Sequence, residues 1–242
     1  MDDINANSSN ELESVLRAID ITVPPRGQKP PTGPKRTKED FERSSICRWL
    51  STLNRASQLS FPLRASKRER PDFQVCLGQK AWGVEITEAI PEAFAHTVAA
   101  AEEENPDALL DVTLFKYGEE KSPAEIRQII SQDEFMGPPL EGDAAERELA
   151  EAIRSKVESK TGKLREPDFD KYPRNILLIY ENMPVPPLHH DKLAAHCADK
   201  LKNYWSDEIV FDVIYVESGD TIFEIMSSGI RQLKVNDLWR EA

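Results

Sequence analysis

Two short runs of alternating apolar and polar residues meet at Gly78-Gln79, and that junction constrains the fold more tightly than anything else in the sequence. Asp72 to Leu77 (DFQVCL) and Ala81 to Ala89 (AWGVEITEA) carry the two-residue period of half-buried strands. Glycine supplies the positive φ that the first position of a type II′ turn requires, so the two runs are predicted to form a tight hairpin. With Gly78 and Gln79 as the turn, Phe73 faces Val84 and Val75 faces Trp82 on an apolar face. Asp72 then faces Glu85 on the other face, with Cβ atoms about 4.5–5.5 Å apart. Like charges placed opposite one another destabilise a sheet unless something offsets them. A divalent cation does so, because Mg²⁺ favours carboxylate and water oxygens. Solvent screening at an exposed edge, protonation of one acid, or pairing with Arg70 would also do so, and the hairpin alone leaves these alternatives open.

The rest of the chain reads as alternating helices and strands. Asn10 to Ile19 is expected to form a short helix, followed by a proline-rich linker from Pro24 to Pro34 (PPRGQKPPTGP) that can hold neither a helix nor a central strand. Thr37 is a plausible N-cap, with Glu39 and Asp40 in the first turn of a helix that runs to Ala56. Phe41, Ile46, Trp49, Leu50 and Leu53 share one broad face of it. After the hairpin, Glu88 to Glu104 reads as helical apart from Pro91. A polar, acidic insertion follows at 105–142, with a short helix over Pro123 to Ile130. Asp143 to Lys160 places Leu149, Ile153 and Val157 on one stripe. Asn175 to Tyr180 (NILLIY) is a buried-strand signal, Leu188 to Trp205 a helix, and Val210 to Val216 and Thr221 to Met226 two further strands. This order predicts an α/β sandwich around a central mixed sheet flanked by helices, over residues 37–242, preceded at 1–36 by the short helix and linker.

Charge is unevenly distributed. The formal net charge is -12, yet Pro24 to Arg70 holds 12 Lys and Arg against 4 Asp and Glu. From residue 71 onward the balance is 18 basic against 34 acidic. A basic segment beside an acidic body suits a polyanion that contacts one edge only, although a solvated linker would read the same way. No apolar run approaches the ~20 residues of a membrane span. Met1 to Asn10 is acidic and polar, unlike a secretory signal. The three cysteines (Cys47, Cys76, Cys197) form no CxxC pair, which suits a reduced, cytoplasmic setting. His189, His190, His196 and Cys197 lack paired zinc-ligand spacing, so His189-His190 is read as capping the entrance of the Leu188 to Trp205 helix.

Arg70-Pro71-Asp72-Phe73, followed on the second strand by Val84-Glu85-Ile86-Thr87, resembles the PD-(D/E)xK nuclease superfamily. The order of elements over roughly residues 38–227 is also similar to its restriction-endonuclease-like core of helix, three strands, helix and strand. The resemblance implies that Asp72 and Glu85 hold Mg²⁺ (or Mn²⁺), with the Ile86 carbonyl as a further ligand. It also implies an additional acid from the first helix. Glu42 is the candidate there, on one face with Ile46, Trp49 and Leu53. One departure is plain: Thr87 stands where the motif has lysine. Some members carry that lysine on a following helix, where Lys156 and Lys160 sit one turn apart here.

The implied chemistry is phosphodiester hydrolysis of nucleic acid, DNA ahead of RNA, with phosphate contacts from Arg64, Lys67, Arg68 and Arg70. The alternative is a catalytically inactive nuclease-like fold serving as a nucleic-acid- or protein-binding module. A third reading is a structural subunit docked on a protein partner through the N-terminal segment.

Overall fold

The computed structural model describes residues 2–21, 37–131, 137, 141–181 and 188–240. The proline-rich stretch at 24–34 lies outside the described residues, as do parts of the acidic insertion. An eight-stranded mixed sheet runs through the molecule in the order β1-β2-β3-β4-β5-β6-β7-β8. Its strands are β1 (Ile4–Ala6), β2 (Leu63–Lys67), β3 (Phe73–Leu77), β4 (Lys80–Ala89), β5 (Arg174–Glu181), β6 (Val213–Ser218), β7 (Thr221–Met226) and β8 (Gly229–Lys234). β1 to β4 form an antiparallel meander, β4, β5 and β6 are parallel, and β7 and β8 return antiparallel.

Alternation along the central strands sorts the helices into two layers. On β5, Ile176 and Leu178 join a core with α1 (Ser9–Arg17) and α2 (Lys38–Arg55), through Leu12, Leu16, Ile46, Trp49 and Leu53. Leu177 and Ile179 join a second core with α5 (Ala144–Leu164) and α6 (His190–Leu201), through Leu149, Ile153, Val157, Leu193 and Cys197. A strand covered on both faces must be apolar throughout, which is why NILLIY reads as one unbroken run. The structure is therefore an α/β sandwich with helices on both faces of a mixed sheet, as expected.

The parallel pairs need long crossovers. Between β4 and β5 come α3 (Glu92–Glu104), α4 (Pro123–Ser131) and α5; between β5 and β6 comes α6. The insertion is more than a surface excursion. Val112, Phe115 and Ile129 from it pack on Ile90, Ala93, Phe94 and Val98 as a small third core. Its short helix falls where the sequence placed it.

The capping prediction holds: the Thr37 hydroxyl accepts from the Asp40 amide at 3.2 Å, and the Asp40 carboxylate accepts from the Thr37 amide at 2.9 Å. The structure differs in several other places. β4 ends at Ala89, as expected, but α3 starts at Glu92 and not at Glu88, because Pro91, extended at ψ 133, sits at its N-cap. β1, β2 and β8 were not foreseen, being three residues long, basic, or largely exposed. The N-terminal segment was expected only as a helix ahead of a linker. It also supplies an edge strand, and Leu12 and Leu16 are fully buried.

Candidate metal centre

The hairpin folds in the predicted register: Phe73 pairs with Val84, Gln74 with Gly83 and Val75 with Trp82. Gly78 has φ +60 at the first turn position, and its conformation admits a side chain only at a cost in strain. Asp72 precedes β3 by one residue and so comes opposite Glu85. It is anchored there by its own chemistry, since Oδ2 accepts the Ile86 amide hydrogen at 2.7 Å. The turn leading into it is closed by the Arg68 amide donating to the Asp72 carbonyl at 2.8 Å. Pro71 is pinned from the side: a Cβ on Gly83 would meet Tyr172 Cδ2 at 2.6 Å and Pro71 Cγ at 2.9 Å. Only glycine on β4 lets both rings close over the strand.

Both acids are buried, Asp72 with 3% and Glu85 with 6% of its surface exposed. The exposed-edge alternative is thereby removed, and Arg70 turns away to Glu166 and Asp168 at 2.8 and 2.7 Å. Burial, followed by the nearby Glu85 charge, pushes the Asp72 carboxyl up to about 6, against the favourable hydrogen bond from Ile86.

Helix α5 delivers a lysine to this pair. Lys160 Nζ donates to Glu85 Oε1 at 2.6 Å, with 13% of its side chain exposed. Lys156, one turn earlier, makes no ion pair with Asp72 or Glu85. Burial lowers its pKa, opposed by the charges of Glu92 and Glu88. Of the two lysines considered, the tertiary structure brings only Lys160 to the acids.

Glu42 reaches the site from α2 with two lysines around it. Lys67, at the end of β2, donates to Glu42 Oε2, and Lys38 Nζ lies 3.1 Å from Oε1 without hydrogen-bonding geometry. The same ammoniums lie 3.6 and 3.8 Å from Asp72 Oδ1. Burial pushes the Glu42 carboxyl up, but the hydrogen bond from Lys67 and the adjacent Lys38 ammonium outweigh it and its pKa is lowered. Three carboxylates and three ammoniums thus share one end of the sheet. Lys67 also lies over the Phe73 ring, 5.0 Å from its centroid.

The basic stretch is dispersed. Arg64 pairs with Asp3 at 2.6 Å, Arg70 with the acids named above, and Arg68 approaches Asp170 at 4.0 Å. Only Lys67 of the four turns into the acid cluster. The histidines are separate from it: His196 Nε2 lies 2.9 Å from Asp143, and His190 Nδ1 lies 3.3 Å from the Thr221 hydroxyl.

Among the described residues, no three His, Cys, Asp or Glu side chains stand close enough together to hold a metal ion. A preassembled cage of Asp72, Glu85 and Glu42 is therefore not present. Two opposed, buried carboxylates still suit Mg²⁺, which commonly binds one or two carboxylates and keeps several waters. Glu42 Oε1, buried and without a hydrogen bond, is ion-paired with Lys38 at 3.1 Å. The Lys38–Lys67 arrangement escaped sequence reasoning because it depends on the unforeseen β2. Its one local signal is Lys38 four residues before Glu42.

Comparison with family models, with curated proteins and with solved structures finds no match to this chain. Among the described residues, no helix is long and apolar enough to cross a membrane.

Proposed function

We propose that this chain is a metal-dependent phosphodiesterase acting on nucleic acid, built on a restriction-endonuclease-like core. The observation that carries this reading is the meeting of Lys160 with Glu85, at 2.6 Å, beside Asp72. The sequence lacks a lysine two residues after Glu85, and a helix restores an ammonium at that acid. The order helix, three strands, helix, strand in α2, β2–β4, α5 and β5 supports the same reading.

Asp72 and Glu85 are the residues that would hold Mg²⁺ or Mn²⁺. The ion would supply charge neutralisation at phosphate and a more acidic bound water. The chain's own residues do the rest. Burial of both acids keeps the local dielectric low, which strengthens every charge interaction with a phosphate. The Ile86 amide fixes the Asp72 rotamer. Lys160, held beside Glu85, would supply a cation to the charge that develops on a phosphoryl oxygen. The ion pairs of Arg64 and Arg70 are largely exposed, and exposed pairs contribute little, so these guanidiniums are free to exchange acids for phosphates.

The second reading, a binding module without catalysis, is favoured by one observation: lysines already engage the carboxylates of Glu42 and Glu85. Calorimetry with Mg²⁺ and Mn²⁺ on the wild type and Asp72→Ala decides between them. Binding that disappears in the variant, followed by cleavage of plasmid or single-stranded DNA, supports the hydrolase. Absence of metal binding in both proteins leaves the module.

A further inference from the structure

The three ammoniums around the acids raise a question that the hydrolase reading, on which this inference rests, does not answer. A site already balanced in charge has little attraction for a dication. Glu42, Asp72 and Glu85 contribute three negative charges; Lys38, Lys67 and Lys160 contribute three positive ones. Lys160 belongs to Glu85 alone. Lys38 and Lys67 are shared: each lies within 4.0 Å of both Glu42 and Asp72.

We propose that Lys38 and Lys67 are internal counter-ions which a divalent cation displaces from Asp72, and that the displaced ammoniums then bind the phosphate of the substrate strand. A metal added alone must compete with ammoniums already paired to the acids. Phosphate added alone finds these lysines engaged with carboxylates. Added together, each ligand releases the charges the other needs, so the two bind cooperatively, and the coupling is reciprocal. The geometry favours these two lysines for the exchange. The Lys38 side chain is 80% exposed and rooted at the first position of α2, so it can swing outward without disturbing the core. Lys67 is 30% exposed at the last position of β2, on the strand that also carries Arg64.

The test is calorimetric titration of Mn²⁺ into the full chain, alone and saturated with a short phosphorothioate single-stranded oligodeoxynucleotide. In the wild type, Mn²⁺ affinity rises about tenfold or more when the oligonucleotide is present, a coupling within the range seen between linked sites. Lys38→Met and Lys67→Met bind Mn²⁺ more tightly than wild type in the absence of oligonucleotide, and show reduced coupling in its presence. Thermal melts verify folding; Lys38→Met, on an exposed side chain, carries the test should Lys67→Met fail to fold. Mn²⁺ binding of equal strength with and without oligonucleotide overturns the exchange and leaves the hydrolase standing. Variants that bind Mn²⁺ no more tightly than wild type overturn it as well. No Mn²⁺ binding under either condition removes the hydrolase reading and this inference together.

Discussion

Replacing Glu217 by glutamine is expected to stabilise the protein above neutral pH and to leave it unchanged in acid. Glu217 lies near the C-terminal end of β6 with 1% of its surface exposed. Arg48 Nη1, from α2, donates to its Oε1 at 3.0 Å, while Oε2 is buried without a hydrogen bond. Asp237 competes for the same guanidinium at 3.8 Å, and Glu181 and Tyr180 are the other titratable groups nearby. Burial pushes the Glu217 carboxyl from 4.5 up to about 7, in spite of Arg48. A folded-state pKa above the unfolded value means that the fold prefers the protonated acid. This group's contribution is then complete below pH 4.5 and is lost as pH rises through about 7. A shift of that size corresponds to about 3 kcal/mol by pH 8, at roughly 1.4 kcal/mol per pH unit. Glutamine mimics the protonated acid and escapes that loss. For a chain of this length, 3 kcal/mol translates into roughly 6–12 °C in Tm. Melting curves of both proteins between pH 4 and pH 9 read the effect directly. Parallel profiles, or a glutamine variant less stable than wild type at pH 8, would refute the argument and show that the Arg48 ion pair outweighs its desolvation.

Three further outcomes follow from the packing and the site. Gly83→Ala drives a methyl group into Tyr172 and Pro71, and should lower stability by about 1–3 kcal/mol in chemical denaturation, the usual range for overpacking. On the proposed reading its metal affinity should fall too, because Pro71 adjoins Asp72 in the chain. On the proposed hydrolase reading, Lys160→Met should reduce DNA cleavage by about a hundredfold or more, typical of removing one charge stabiliser, while calorimetric metal binding persists. Leu12→Ala should cost about 2–5 kcal/mol, as deletion at a fully buried position does. A negligible effect on the denaturation midpoint would show that the N-terminal helix contributes nothing to the body.

Local chemistry made much of this protein legible in its sequence. A Gly-Gln turn between two alternating runs determines hairpin register, because slipping by one residue would turn Val75 and Val84 to the wrong face. The same register places Asp72 opposite Glu85 before any tertiary contact exists. Thr37 with Asp40 marks a helix start, and NILLIY marks a strand covered on both sides. These signals are encoded within a few residues, where backbone sterics and periodicity decide. Tertiary structure decided what passes between distant segments. It chose Lys160 over Lys156, since only Lys160 of the two hydrogen-bonds Glu85. It made a strand of Leu63–Lys67, whose basic sequence earns its pairing from β1 and β3, and so brought Lys67 to Glu42. It buried Glu217 against Arg48, which lies 169 residues away. Long-range charge pairing has no period in the sequence; it depends on which surfaces the sheet and helices bring together.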